Sequence, residues 1–81
     1  MNSLAQYIAD TLTAKFDIPA EFVDASTSYE ALELDSLVLV ELAVILTREY
    51  GVEITDDEIK DAQTIENTAE LLLQKGVGAA A

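Results

Sequence analysis

The stretch Leu34-Asp35-Ser36-Leu37-Val38-Leu39-Val40-Glu41-Leu42-Ala43-Val44-Ile45-Leu46 decides the fold. It is too apolar for a surface loop, and its apolar residues fall around most of a 3.6-residue period, so it reads as a helix. The helix is expected to start at Ser36 and run to about Tyr50. Asp35 stands just outside it. There a carboxylate accepts from the free N–H groups of the first turn and meets the positive end of the helix macrodipole. Such a cap is typically worth about 1 kcal/mol. Gly51 follows the last helical residue and supplies the left-handed stop, and Arg48 suits the negative end of the last turn.

This helix carries two kinds of apolar residue. At about 100° per residue, Leu39, Leu42, Ala43, Leu46 and Tyr50 share one arc. Glu41, Arg48 and Glu49 lie on the opposite arc and face water. Yet Leu37, Val38, Val44 and Ile45 fall on or beside that wet arc, with Val40 at its edge. A domain this small cannot bury a helix on every side. Some of these five are therefore expected to lie exposed beside Ser36, as an apolar patch with a charged rim that suits protein docking. The competing expectation is that residues 20–34 fold across and hide the patch. The exposure of Val44 and Ile45 separates the two.

Towards the N-terminus, Leu4, Ile8, Leu12 and Phe16 recur every fourth residue with Tyr7 alongside, one stripe of a first helix. Asn2 or Ser3 can cap it, and it is expected to reach about Lys15. Ile18-Pro19 ends it, because the residue before proline avoids the helical region. Residues 20–34 then form a long connection. Phe22, Val23, Tyr29, Leu32 and Leu34 should pin it to the core, with one short turn after Ser28. A connection of this length in a compact domain is often functional.

Towards the C-terminus, Val52-Glu53-Ile54 reads as extended but is too short for a sheet. Thr55-Asp56-Asp57-Glu58 fits a capping box and opens a short helix to about Ala62. Thr64 caps a last helix with Ile65, Ala69 and Leu72 on one face and Leu71 and Leu73 flanking. Lys75 complements its negative end and Gly76 stops it. The expected fold is all-α: three main helices plus one short one, with the long helix from Ser36 and the last helix carrying most of the core. The domain is expected over 1–76, with 77–81 a flexible tail.

Composition narrows the function. Eighty-one residues make one small domain. The chain has no Cys and no His, which removes disulfides, thiolate ligands, the usual zinc sites and histidine-based catalysis. Sixteen acidic residues against four basic ones give a net charge of −12. That charge repels nucleic acid and anionic membranes and favours partners with basic docking surfaces. There is no signal-peptide pattern and no run long enough to span a membrane, so the expected location is the cytoplasm. The acidic cluster Asp56, Asp57, Glu58 and Asp61 lacks the alternating ligands, the turn Gly and the late Glu of a calcium loop. Capping and a solvated face account for it, and no metal site is expected. Ser36 has no base near it in sequence to make it a catalytic nucleophile. No catalytic residue is expected.

Leu32-Glu33-Leu34-Asp35-Ser36-Leu37, Val40-Glu41-Leu42, Leu46, Glu49-Tyr50-Gly51-Val52-Glu53-Ile54, Asp57-Glu58 and the Thr64-Ile65 helix start resemble the acyl carrier protein family, which includes the peptidyl and D-alanyl carriers. The likeness runs from Leu4 to Leu73. It implies a small four-helix bundle with a long first loop, acting as a monomeric carrier and not as an enzyme. It implies that Ser36 bears 4′-phosphopantetheine, supplied from coenzyme A by a phosphopantetheinyl transferase that uses Mg²⁺. Acyl intermediates of polyketide or fatty acid biosynthesis would then ride on the arm as thioesters. Asp35 matches the family's Asp, with a part in transferase recognition as well as capping. Glu41 matches an acidic position that meets basic residues of partner enzymes, such as acyltransferases, ketosynthases or acyl-activating enzymes. Leu37, Val40 and Val44 match apolar contact positions, with Val38 and Ile45 beside them. Leu39, Ala43 and Leu46, on the inward arc, would line any space that shelters the acyl chain.

The chain departs from the family in two places. A Gly is usual two residues before the Asp, and Glu33 stands there. Fatty-acid carriers are commonly acidic or polar where this chain has Val38 and Thr47-Arg48, which leans towards a polyketide or mixed polyketide–peptide carrier. The alternatives are a peptidyl or aminoacyl carrier, or an unmodified adaptor of the same fold.

Overall fold

A computed structural model describes residues 3–77. Four α-helices follow one another: α1 (Ser3–Phe16), α2 (Ser36–Tyr50), α3 (Asp56–Ala62) and α4 (Ile65–Gln74). A single 3₁₀ turn, Ala20–Phe22, sits in the long connection between α1 and α2. There is no strand among the described residues, only an isolated antiparallel bridge between Ser28 and Thr64. The all-α four-helix bundle with its long first loop is therefore present.

The helix starts follow their caps. The Asp35 carboxylate accepts from the Val38 N–H at 3.0 Å. Thr55 closes a reciprocal box: its hydroxyl accepts from the Glu58 N–H at 3.2 Å, and the Glu58 carboxylate accepts from the Thr55 N–H at 3.0 Å. Thr64 accepts from the Asn67 N–H at 3.1 Å. Ser3 is already helical, and Asn2 lies outside the described residues.

The helix ends are closed by left-handed residues. Gly51 (φ 68°) sends its N–H to the Thr47 carbonyl at 2.9 Å. Gly76 (φ 102°) and Val77 make the paired closure of a Schellman motif, to the carbonyls of Leu73 and Leu72. Val77 is buried, so packing reaches one residue into the expected tail; 78–81 lie outside the described residues. Pro19 is not what turns the chain after α1. Asp17 does so at φ 57°, a conformation that a short polar side chain tolerates, and Pro19 only keeps Ile18 out of the helix.

The core draws on all four helices and on Val23, Tyr29 and Ile54 from the connections. The expected division of the core needs one correction. α1 gives six buried residues, Leu4, Ala5, Ile8, Ala9, Thr11 and Leu12, against four each from α2 and α4. Counting only large apolar residues passed over Ala5, Ala9 and Thr11, whose small side chains let neighbouring elements come close. Thr11 and Thr68, the buried polar residues, return their hydroxyls to the carbonyls of Tyr7 and Thr64 at 2.7 and 2.8 Å. Tyr7 and Tyr50 meet edge to face, with ring centroids 5.6 Å apart.

The first loop is held by specific bonds. Val23 and Tyr29 are buried and Leu32 and Leu34 pack partly against the core, but Phe22 is 61% exposed and pins nothing. The Tyr29 N–H donates to the Gln63 carbonyl at 2.8 Å, and the Glu66 N–H to the Ala25 carbonyl at 2.8 Å. The Tyr29 hydroxyl meets the Thr68 hydroxyl in the interior, and burial pushes the phenol up to about 12. Gln63 makes this junction by adopting φ 73°, ψ −34°, with a tight turn from the Thr64 N–H to the Ala62 carbonyl at 2.9 Å. At the other end of α4, Lys75 reaches Glu58 of α3 at 2.9 Å and holds its carboxyl below the usual range.

Candidate functional site

The site is built by the eight residues before α2, 28–35. The turn after Ser28 is one turn of helix closed by a second Schellman pattern. The Glu33 N–H donates to the Glu30 carbonyl at 3.0 Å, and the Leu34 N–H to the Tyr29 carbonyl at 3.2 Å. That closure needs a left-handed residue at position 33, and Glu33 adopts φ 58°. A glycine has no side-chain penalty there, whereas an L-residue with a Cβ costs roughly 1–2 kcal/mol. The departure at position 33 therefore changes the residue and keeps the backbone that the position requires. Leu34 then packs partly against the core, Asp35 is extended (φ −84°, ψ 175°), and α2 begins.

Asp35 and Ser36 are both exposed. Asp35 caps the helix, no hydrogen bond among the described residues engages the Ser36 side chain, and Ser36 is exposed at the first helical position. An anionic phosphodiester on this oxygen would sit at the positive end of α2, where free N–H groups and the macrodipole favour negative charge. An exposed oxygen at a rigid helix start thus fits a phosphopantetheine group.

Beside Ser36 runs an apolar stripe. Leu37 is 76% exposed, Val40 43% and Val44 45%. Glu41 is exposed among them. Val38 and Ile45 are half-buried, Ile45 in a hollow that it shares with Ala14, Lys15 and Phe16 at the end of α1. The first loop does not fold across the stripe, because its bonds tie it to the corner between α3 and α4.

Leu39, Leu42, Ala43 and Leu46 point inward and are buried. Of the three residues expected to line an acyl space, Ala43 lines an open hollow of about 310 Å³ between α2 and the start of α3; Leu39 and Leu46 are core residues. The hollow is otherwise lined by Val40, Val44, Thr47, Arg48, Ile54, Thr55 and Asp56. The Thr47 hydroxyl accepts from the Ile54 N–H at 3.3 Å and so holds the far wall against α2. Sequence reading missed Thr47, Ile54 and Asp56. Helical periodicity puts Arg48 with Glu41 and Glu49 on the wet arc. Its four-residue spacing from Val40 and Val44 was a signal for one wall that went unread, and nothing local marks the other. Among the described residues no group of carboxylates is arranged to hold a metal ion, and no helix is long and apolar enough to cross a membrane.

Comparison with known proteins agrees with this geometry. The family described as "Phosphopantetheine attachment site" matches residues 4–72. An acyl carrier protein of Petrotoga mobilis is 37% identical over 73 residues, covering 86% of this chain and 79% of its own length. Polyketide-8 synthase acyl carrier protein 2 of Streptomyces avermitilis is 36% identical over 72 residues, covering 89% and 79%. An acyl carrier protein of Thermobifida fusca is 36% identical over 61 residues, covering 74% and 77%. The helical bundle, the exposed serine at a capped helix start and the match along 4–72 together place this chain in the acyl carrier protein family, whose members carry covalently attached 4′-phosphopantetheine.

Proposed function

We propose that this protein carries acyl intermediates on a 4′-phosphopantetheine arm at Ser36 and presents them to the enzymes of a polyketide or fatty acid pathway. The observation that carries the reading is the exposed Ser36 side chain at the Asp35-capped start of α2, within a chain of this family. In loading, Ser36 Oγ forms a bond to the phosphorus that bears the pantetheine of coenzyme A. The adenosine 3′,5′-bisphosphate portion leaves, and the hydroxyl proton passes to a base of the transferase. This chain has no histidine to take that proton, which supports a carrier worked on by enzymes over an enzyme in its own right. Asp35 holds the helix start rigid, so that the oxygen is offered in one place. Leu37, Val40 and Val44 give visiting enzymes an apolar footing, and Glu41 gives them a carboxylate for a basic side chain. When bound, the arm supplies a thiol that holds the acyl group as a thioester, chemistry that a chain without cysteine lacks. The likeness to a polyketide synthase carrier and the apolar Val38 support the polyketide side of the reading. The cytoplasm, where coenzyme A and such enzymes meet, is the proposed location.

The test is intact mass after incubation with coenzyme A, Mg²⁺ and a phosphopantetheinyl transferase. Wild type should gain the mass of one arm and Ser36→Ala none. An unchanged wild type, or an equal gain on Ser36→Ala, overturns the reading.

A further inference from the structure

Arg48 is one of four basic side chains in a chain with sixteen acidic ones, and it is exposed. The ion pair found among the described residues joins Lys75 to Glu58 and does not involve it. Its helical neighbours three and four residues away are Val44, Ile45, Gly51 and Val52, so no carboxylate on α2 is placed to meet it. Instead it lines the hollow whose other walls are Val40, Ala43, Val44, Thr47, Ile54, Thr55 and Asp56, and it forms no ion pair with Asp56.

The hollow is aligned with Ser36. Val40 is four residues along α2 from Ser36, about 6 Å at 1.5 Å per residue, and Arg48 is twelve, about 18 Å. The arm's backbone is as long as about five residues of extended chain, about 17 Å at 3.3–3.6 Å per residue. An arm anchored at Ser36 and laid along α2 therefore brings its sulfur, and the first atoms of its cargo, to the guanidinium of Arg48.

We infer that Arg48 is a specificity residue that docks a cargo bearing a second carboxylate within a few bonds of the thioester. The inference rests on the reading of Ser36 as the attachment point. A guanidinium presents paired N–H donors that match a carboxylate bidentately, whereas a methyl end of equal length offers it no acceptor. The net charge of −12 and the negative end of α2 repel free anions. Recognition therefore depends on direct contact and on the high effective concentration that a tether provides.

The experiment loads uniformly ¹⁵N-labelled protein with malonyl, succinyl or butyryl arms, using the corresponding coenzyme A thioesters and a phosphopantetheinyl transferase. Intact mass confirms loading at Ser36, and ¹H–¹⁵N spectra read the Arg48 Nε–H and the Thr47 and Asp56 amides. The two dicarboxylic arms should shift these signals more than butyryl does. The docked population should exceed that of butyryl on the order of two- to fivefold, as for an exposed ion pair, and the excess should fade towards 1 M salt. In Arg48→Gln the excess should vanish, and in Arg48→Lys it should persist in part. A purely structural Arg48, complementing the helix end, would lower the Tm of all three loaded forms of Arg48→Gln alike and leave no cargo-dependent shift. Equal shifts from succinyl and butyryl, or an excess that survives in Arg48→Gln, overturn the inference while leaving the carrier reading intact. Failure of any arm to attach overturns both.

Discussion

The two faces of α2 are made of the same residue types and have opposite fates. Leu39, Leu42 and Leu46 are buried, whereas Leu37, Val40 and Val44 lie open on the same fifteen-residue helix. Hydrophobicity alone does not separate them; partners do. α1, α3 and α4 enclose one arc, and the first loop is fastened to the corner at Gln63, away from the other. The inward face makes the fold, and the outward face stays open to solvent.

Substitution along α2 sharpens this contrast. Leu46→Ala should have the largest effect, a loss of about 2–5 kcal/mol in chemical denaturation, because the core cannot close on the space left. A loss as small as that of a surface residue would mean that the inward arc is not the core. At the hinge between the faces, Asp35→Ala should cost about 1 kcal/mol and slow transfer of the arm to Ser36, since the helix start frays. Unchanged stability and loading would remove the cap from the account. Glu33→Gly should stabilise by up to about 1 kcal/mol by relieving the left-handed Cβ, read as a raised Tm. A lowered Tm would show that Glu33 contributes something beyond its backbone angle. Val44→Ala should be smallest in stability, within about 0.5 kcal/mol, while weakening the association with partner enzymes measured by titration. A large loss of stability there would erase the distinction between the faces.

Much of the molecule was legible before any coordinates. The bounds of α2, the Thr55–Glu58 box, the Thr64 cap and the Gly51 and Gly76 stops all follow from groups within a few residues of one another. Each satisfies an N–H or carbonyl that the helix itself leaves open. Ser36 as a helix-start serine with a carboxylate before it is equally local.

Other features had no local signature. Glu33, Asp17 and Gln63 adopt left-handed angles that their residue types do not announce. Phe22 is as apolar as Val23 next to it, yet one is exposed and the other buried, because only the second points at the bundle. Which of the greasy residues on α2 stay open depended on where a loop some ten residues upstream is tied. That was settled by hydrogen bonds from Tyr29 to Gln63 and from Glu66 to Ala25. Likewise, the hollow lined by Arg48 exists because Ile54 is hydrogen-bonded to Thr47. Helix limits and the exposed serine at a capped helix start were written in short-range chemistry. The open apolar face and the hollow came from contacts between residues far apart in the chain, whose pairing no pattern of neighbours encodes.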